Sequence, residues 1–194
     1  MSPSDSHRML TGAELAALYR VHMRRDFPPN ELKSLSMLEN LTQSGINSVW
    51  AFERDGALAG YYVLARVPGS SMVLLDYLAV VPELRNTGVG SALMAQIVRR
   101  LPPDCYLLIE SERPEPAPSP EEQSIRARRV GFYQRCGAVR SPLNVRLFGV
   151  DYAVLTLPAE RTPSPPQQRR DYLEVYRSML PPAWCGEHLE TFLP

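Results

Sequence analysis

The sequence predicts an α/β (α+β) protein with a mixed, mostly antiparallel central sheet flanked by helices. Three observations carry this. Hydrophobic period changes from helical to strand-like near residue 47. NSVWAFERDGALAGYYVLARV, 47–67, then reads as two strands joined by Arg54-Asp55-Gly56, with Asp-Gly as the hairpin signal. The strand–helix–strand run at 72–111 calls for a right-handed parallel crossover.

Taken in order, Thr11-Gly-Ala-Glu14 has the form of a capping box. Leu15, Leu18, Tyr19 and His22 follow at helical spacing, and the helix should end before Pro28. A second helix is expected after Pro28-Pro29-Asn30, with the stripe Leu32, Leu35, Leu38, Leu41 and a stop at Gly45. After the hairpin, MVLLDYLAVV (72–81) is nearly continuous in apolar residues, so both faces should be covered. Ser91 to Leu101 reads as helix, ended by Pro102-Pro103, and CYLLIES (105–111) as a buried strand. SERPEPAPSP (111–120) is too rich in proline for either state. Helix resumes near Glu121, with Ile125, Phe132 and Cys136 along one face, and ends at Gly137. Strand signals return at 145–157, and a last helix over about 168–180 carries Tyr172, Val175, Tyr176 and Met179.

At 194 residues the chain is long enough for one good core. Basic and acidic residues balance at 21 each, so nucleic acid is not an expected partner. Cys105, Cys136 and Cys185 are far apart with no ligand-spaced His. They read as buried thiols, with neither a metal site nor a disulfide framework expected. MSPSDSHRML lacks the apolar core of a signal peptide, and no apolar run reaches membrane-spanning length. The expectation is a cytoplasmic protein with no membrane partner.

The chemistry concentrates in LAVVPELRNTGVGSALM, 78–94. A strand ends near Val81, Gly88 and Gly90 follow, and a helix begins at about 90. A helix N-terminus offers unpaired amides and partial positive charge, and residues without Cβ let an anion come close. Arg85 adds a charged donor, and Thr87 and Ser91 hydroxyls. Spacing excludes the P-loop, because no Lys follows the glycines, and the dinucleotide fingerprint, because Leu93 stands at its third glycine. Alone, the loop reads as a plain turn feeding a helix.

R-x-x-G-x-G after a strand ending L-A-V and a V-P turn resembles the acetyl-CoA signature of the GNAT superfamily of N-acetyltransferases. In that family the segment is strand four, the pyrophosphate loop and helix three. VGFYQRCGAV, 130–139, is similar to the family's segment in which a helical Tyr acts as general acid. The element order resembles the family's over about 8–157, leaving 158–194 as an extension with one helix on a single GNAT-like domain.

The resemblance implies transfer of an acetyl group from acetyl-CoA directly to a primary amine of a small molecule or peptide, with no metal. It implies backbone contacts from Leu78, Ala79 and Val80 to the pantetheine arm, in a gap between the strands at 72–81 and 105–111. Arg85, Asn86, Thr87, Gly88, Val89, Gly90 and Ser91 would hold the pyrophosphate. Glu110 falls where the family often carries its base, and Tyr133 would protonate the leaving thiolate. Asp76, Glu112 and Asp151 are rival carboxylates, and core packing beside Phe132 is the competing reading of Tyr133. Phe27 and Glu31, near the first helix junction, are acceptor-wall candidates, and Asp76 and Glu112 are further substrate candidates. Acids Glu110, Glu112 and Glu115 around the proline-rich loop would favour a cationic amine. The family often has an Asn seven residues before its Tyr, where this chain has Arg126. A catalytically silent acyl-CoA-binding module on the same fold is the alternative, and a monomer or a homodimer would suit either.

Overall fold

A computed structural model describes residues 5–193. They form two compact units, each drawn from two stretches of chain. The first takes residues up to Ala65 together with Asp76–Leu93, and the second takes Arg66–Leu75 together with residues from Met94 onward.

The first unit begins with a strand that the sequence did not suggest, β1 (Asp5–Leu10), antiparallel to β2 (Asn47–Arg54). It is an edge strand with mostly exposed side chains, so it lacks an apolar alternation. Charge holds it instead. Arg54 grips Asp5 through two hydrogen bonds of 2.8 and 3.0 Å, and Arg8 reaches Glu53 at 2.7 Å.

The expected capping box does not form. Thr11 caps α1 (Gly12–Leu18) without a side-chain hydrogen bond: the Glu14 amide bonds the Thr11 carbonyl at 3.1 Å, and Arg8 takes the Glu14 carboxylate. The helix continues through a π-helical stretch, Tyr19–Met23, into α2 (Arg24–Asp26). The wider turn advances the buried face by one residue. Met23 is therefore fully buried, while His22 of the expected stripe is only half-buried. α3 is shorter than expected, Leu35–Gln43, because Ser34 caps it by accepting from the Met37 amide at 3.3 Å.

β2 turns into β3 (Ala57–Ala65) through Asp55 and Gly56, both at positive φ (52° and 79°). Two such residues are what a tight hairpin requires, so the Asp-Gly reading stands. Leu15, Leu18, Met23, Leu38, Val49, Tyr61, Val63 and Tyr77 share one core, with Phe27 and Leu32 packed on its margin.

β4 (Met72–Val80) contributes its last residues to this first unit and its first four to the second. In the second unit, Met72–Leu75 pair in parallel with Tyr106–Ile109 of β5 (Tyr106–Glu112), the expected outcome of a strand–helix–strand run through α4 (Val89–Arg100). β5 pairs antiparallel with β7 (Val150–Leu157), and β7 with β6 (Val139–Leu147). β6 starts six residues before the strand signal at 145, because Pro142 and a register shift between Arg140 and Asn144 hide its first half. With β8 (Leu189–Phe192) as the last strand, the order is β1-β2-β3-β4-β5-β7-β6-β8, a mixed and mostly antiparallel sheet.

α5 (Pro120–Arg135) starts at its Ser119 cap and ends at Gly137 with φ 94°. Its buried face is Val130 and Tyr133, not Ile125, Phe132 and Cys136. α6 (Pro165–Met179) buries the expected stripe of Tyr172, Val175, Tyr176 and Met179. A short helix α7 (Pro182–His188) and an edge strand β8 (Leu189–Phe192) follow it unannounced. None of the three cysteines forms a disulfide among the described residues, and only Cys105 is buried; Cys136 and Cys185 are half-buried. Among the described residues no helix is long and apolar enough to cross a membrane.

Candidate active site

The stretch after β4 is a turn delivered onto the start of a helix. Pro82–Leu84 form one 3-10 turn, and the chain then reverses through Asn86 (φ 63°) and Gly88 (φ 90°). Thr87 fixes the turn by donating to the Leu84 carbonyl at 2.7 Å. α4 begins at Val89, two residues before the expected Ser91, and the Gly88 carbonyl accepts its first helical bond from Ala92 at 3.0 Å. The first amides of α4 thus lack helical acceptors. Asn86, Thr87, Gly88 and Ser91 are exposed beside them.

Arg85 is exposed and leans back over the strand end. Its Nε donates to the Val80 carbonyl at 3.2 Å, and its guanidinium lies 3.8 Å from Asp26. Asp26 is nearly buried and also accepts from Tyr61 at 2.8 Å and from Arg25 at 2.9 Å. Burial, then this carboxylate, push the Tyr61 phenol far up, so it remains a donor. Val80's carbonyl is therefore already engaged. Ala79's is packed against Gly60 of β3, where an added Cβ would stand 2.7 Å from it and from Leu93 Cδ1.

Asp76, Lys33, Tyr77 and Phe27 gather on β4 and the segment before α3. Lys33 Nζ is 2.6 Å from Asp76 Oδ1 and 5.1 Å from the centre of the Tyr77 ring. Tyr77 accepts from the Lys33 amide and donates to the Glu31 carbonyl, both at 2.9 Å. Burial raises its phenol to about 12. Phe27 packs edge-on against it at 4.8 Å. The structure thus brings together three of the four acceptor candidates, Phe27, Glu31 and Asp76.

The fourth, Glu112, belongs to the second unit and is committed elsewhere. Arg126 and Arg129 of α5 hold it at 3.0 and 3.1 Å. This gives Arg126 a structural purpose where the family pattern has Asn. Asp151, a rival base, is likewise forked by Arg146 at 2.8 and 3.1 Å, and this hydrogen bonding holds its carboxyl below the usual range.

Glu110 of β5 accepts from two phenols. Tyr172 donates to its Oε1, and Tyr176 to its Oε2 at 2.6 Å. Both tyrosines are buried on α6. Sequence reasoning saw their stripe but not their destination. The available signal was chemical: two buried phenols on one helix face each require a polar partner. Tyr133, buried on α5, has its phenol pushed up to about 12 by desolvation, with Arg129 opposing. It is protonated throughout the neutral range, as a general acid must be.

The model of the acetyltransferase (GNAT) domain matches residues 45–137, which include the turn before α4, Glu110 and Tyr133. This stretch, just under half of the chain, is thus similar to a GNAT acetyltransferase domain. A GNAT-family protein from Bacteroides thetaiotaomicron is similar in fold, at TM-score 0.67 and 18% identity over 91% of this chain and 99% of that one. The ribosomal-protein-S18-alanine N-acetyltransferase of Escherichia coli gives 0.58 and 18% over 80% and 94%. The GNAT-like decarboxylase GphF, in complex with isobutyryl-CoA, gives 0.60 and 18% over 78% and 97%. No curated protein matches the sequence.

Proposed function

We propose that the protein transfers an acyl group, acetyl by preference, from acyl-CoA directly to a primary amine of a small molecule or peptide. The observation that carries the reading is the exposed Arg85–Gly88 turn delivered onto the N-terminus of α4, inside the segment matched by the acetyltransferase domain. Amides at a helix start, with no Cβ at Gly88 and Gly90, suit a pyrophosphate. Arg85, Asn86, Thr87, Val89 and Ser91 complete that cradle, and Arg85 exchanges Asp26 for phosphate oxygens. Backbone groups of Leu78, Ala79 and Val80 are assigned to the pantetheine arm.

The amine nitrogen attacks the thioester carbonyl, and the carbon–sulfur bond breaks. The ammonium proton passes to a carboxylate and the Tyr133 hydroxyl proton to the departing thiolate. Glu110 is assigned as that carboxylate, with Asp76 as the rival. Phe27 and Glu31 are assigned to the acceptor's surroundings. Glu112 is not, since its two arginines already neutralise it.

Calorimetry with CoA tests the cradle, and free-thiol release with acetyl-CoA and a panel of polyamines, amino acids, aminoglycosides and lysine peptides tests the reaction. Binding that weakens in Gly88→Val, with thiol released by at least one acceptor, is the expected result. Tight binding without thiol release from any acceptor would leave a silent acyl-CoA-binding module. Chemistry that leaves the thioester intact, such as decarboxylation, would also release no thiol.

A further inference from the structure

The C-terminal helix meets β5 through two reciprocal tyrosine–carboxylate contacts. On the strand, Tyr106 donates to Asp171 Oδ2 of α6 at 2.9 Å, and Gln167 holds the other Asp171 oxygen at 2.6 Å. On the helix, Tyr172 and Tyr176 donate to the two oxygens of Glu110. Tyr106 and Glu110 are four residues apart on one strand and so share a face. The first contact fixes where α6 sits on β5. The second then delivers two hydroxyls to one carboxylate.

From this we infer that Tyr172 and Tyr176 are positioning residues that set both the rotamer and the ionisation of Glu110. This rests on Glu110 being the proton acceptor of the acyl transfer. An ionised carboxylate only accepts hydrogen bonds, and a phenol at neutral pH readily donates. Donors on both oxygens favour the anion and lower its proton affinity. The donors are durable, because burial and then the Glu110 charge raise the Tyr172 phenol well above its ordinary value.

Neighbouring strands and helices supply the rest of the Glu110 surroundings. β7 presents apolar Val154 opposite it, with Tyr152 further along. Asp171 is occupied by Tyr106 and Gln167, and Glu112 by the α5 arginines Arg126 and Arg129. The two α6 hydroxyls occupy one Glu110 oxygen each. They lie outside residues 45–137, so this chain supplies them from beyond the matched domain.

The test is a carboxyl titration by carbon-13 NMR on the full chain labelled at glutamate Cδ and tyrosine Cζ, with Glu110→Gln for assignment. Tyr176→Phe and Tyr172→Phe should each raise the Glu110 midpoint by about one pH unit, and the pair by more. An unchanged midpoint in a folded variant overturns the inference. If neither variant folds, the wild type decides. The Cζ resonances of Tyr172 and Tyr176 must then move with the Glu110 titration, and their failure to do so overturns it equally.

This readout needs neither CoA nor acceptor, so it stands apart from thiol release. Where thiol is released, Tyr176→Phe should move the acid limb of kcat/KM upward by the same amount, leaving KM for acetyl-CoA within about twofold. A limb that stays in place while the carboxyl midpoint moves would show that Glu110 is not the base, and would overturn the catalytic part of the inference.

Discussion

Lys33 Nζ stands 2.6 Å from Asp76 Oδ1, with little of either side chain left in water, while Asp76 Oδ2 is buried without a hydrogen-bond partner. Such a carboxylate depends on its one cation. Lys33→Met should lower the urea-unfolding free energy by about 3 kcal/mol, the usual cost of stranding a buried charge. Adding Asp76→Leu should restore much of the loss, because an apolar pair of similar volume removes the desolvation penalty. Equal losses in single and double variants would mean the pair contributes packing alone.

Gly88, at φ 90°, occupies backbone space that a β-branched residue fills at a cost of about 1–2 kcal/mol. Gly88→Val should therefore lower the melting temperature by a few degrees. It should also weaken CoA binding by about tenfold or more, by disturbing the amides of α4. Calorimetry and thermal unfolding on the same sample separate the two effects. Weakened stability with unchanged CoA affinity would assign the turn to folding only.

Tyr133 has a phenol raised to about 12 by burial. Tyr133→Phe removes the proton but little volume, so the fold should persist. In the acyl-transfer reading kcat falls by about a hundredfold, within the range of general acid catalysis, with KM for acetyl-CoA little changed. The raised value also means no alkaline loss of the acid form near neutrality. Steady-state thiol release across pH 6–10, in wild type and variant, checks both statements.

Gly60 lets β3 lie against the β4 backbone, since an added Cβ would meet the Ala79 carbonyl at 2.7 Å. Backbone cannot step aside as a flexible side chain does. Gly60→Ala should cost about 1–3 kcal/mol through overpacking. By shifting Ala79 and Val80, it should also weaken CoA binding more than binding of a pyrophosphate fragment. Competition calorimetry with the two ligands measures that difference.

The Arg146–Asp151 fork bridges β6 and β7 where the two residues face each other. The Asp151 carboxyl lies below its ordinary value on folding, through hydrogen bonding to Arg146 first. Its contribution is whole above about pH 4, the unfolded value, and declines as pH falls through the folded one. Asp151→Asn should lower the melting temperature slightly at pH 7, the pair being partly solvated, and the gap to wild type should close in acid, as Asp151 takes up its proton. A gap that persists in acid would point to a contact other than the ion pair.

What the sequence disclosed follows from how far apart the cooperating residues lie. The Asp55-Gly56 turn, the α6 stripe and the Gly88 turn are local patterns, and all three are present in the fold. β1 stayed hidden because an exposed edge strand held by ion pairs has no apolar period. The Thr11–Glu14 box does not form, and Arg8 on that strand claims Glu14. Of the candidate site, the Arg85–Ser91 turn is legible because its residues are contiguous. The hydroxyls on Glu110 are not, because Tyr172 and Tyr176 stand 62 and 66 positions away, and no period or spacing links them.

In the acyl-transfer reading, the tyrosine–carboxylate ties between α6 and β5 also set how short a working version of this protein can be. A chain cut after Leu157 would keep every residue of the matched domain, yet bare the Tyr106 hydroxyl and leave Glu110 without its two phenols. The boundary of kinship and the boundary of chemical self-sufficiency therefore fall at different places. Any graft, fusion or library built on this scaffold must carry its C-terminal extension through at least Met179.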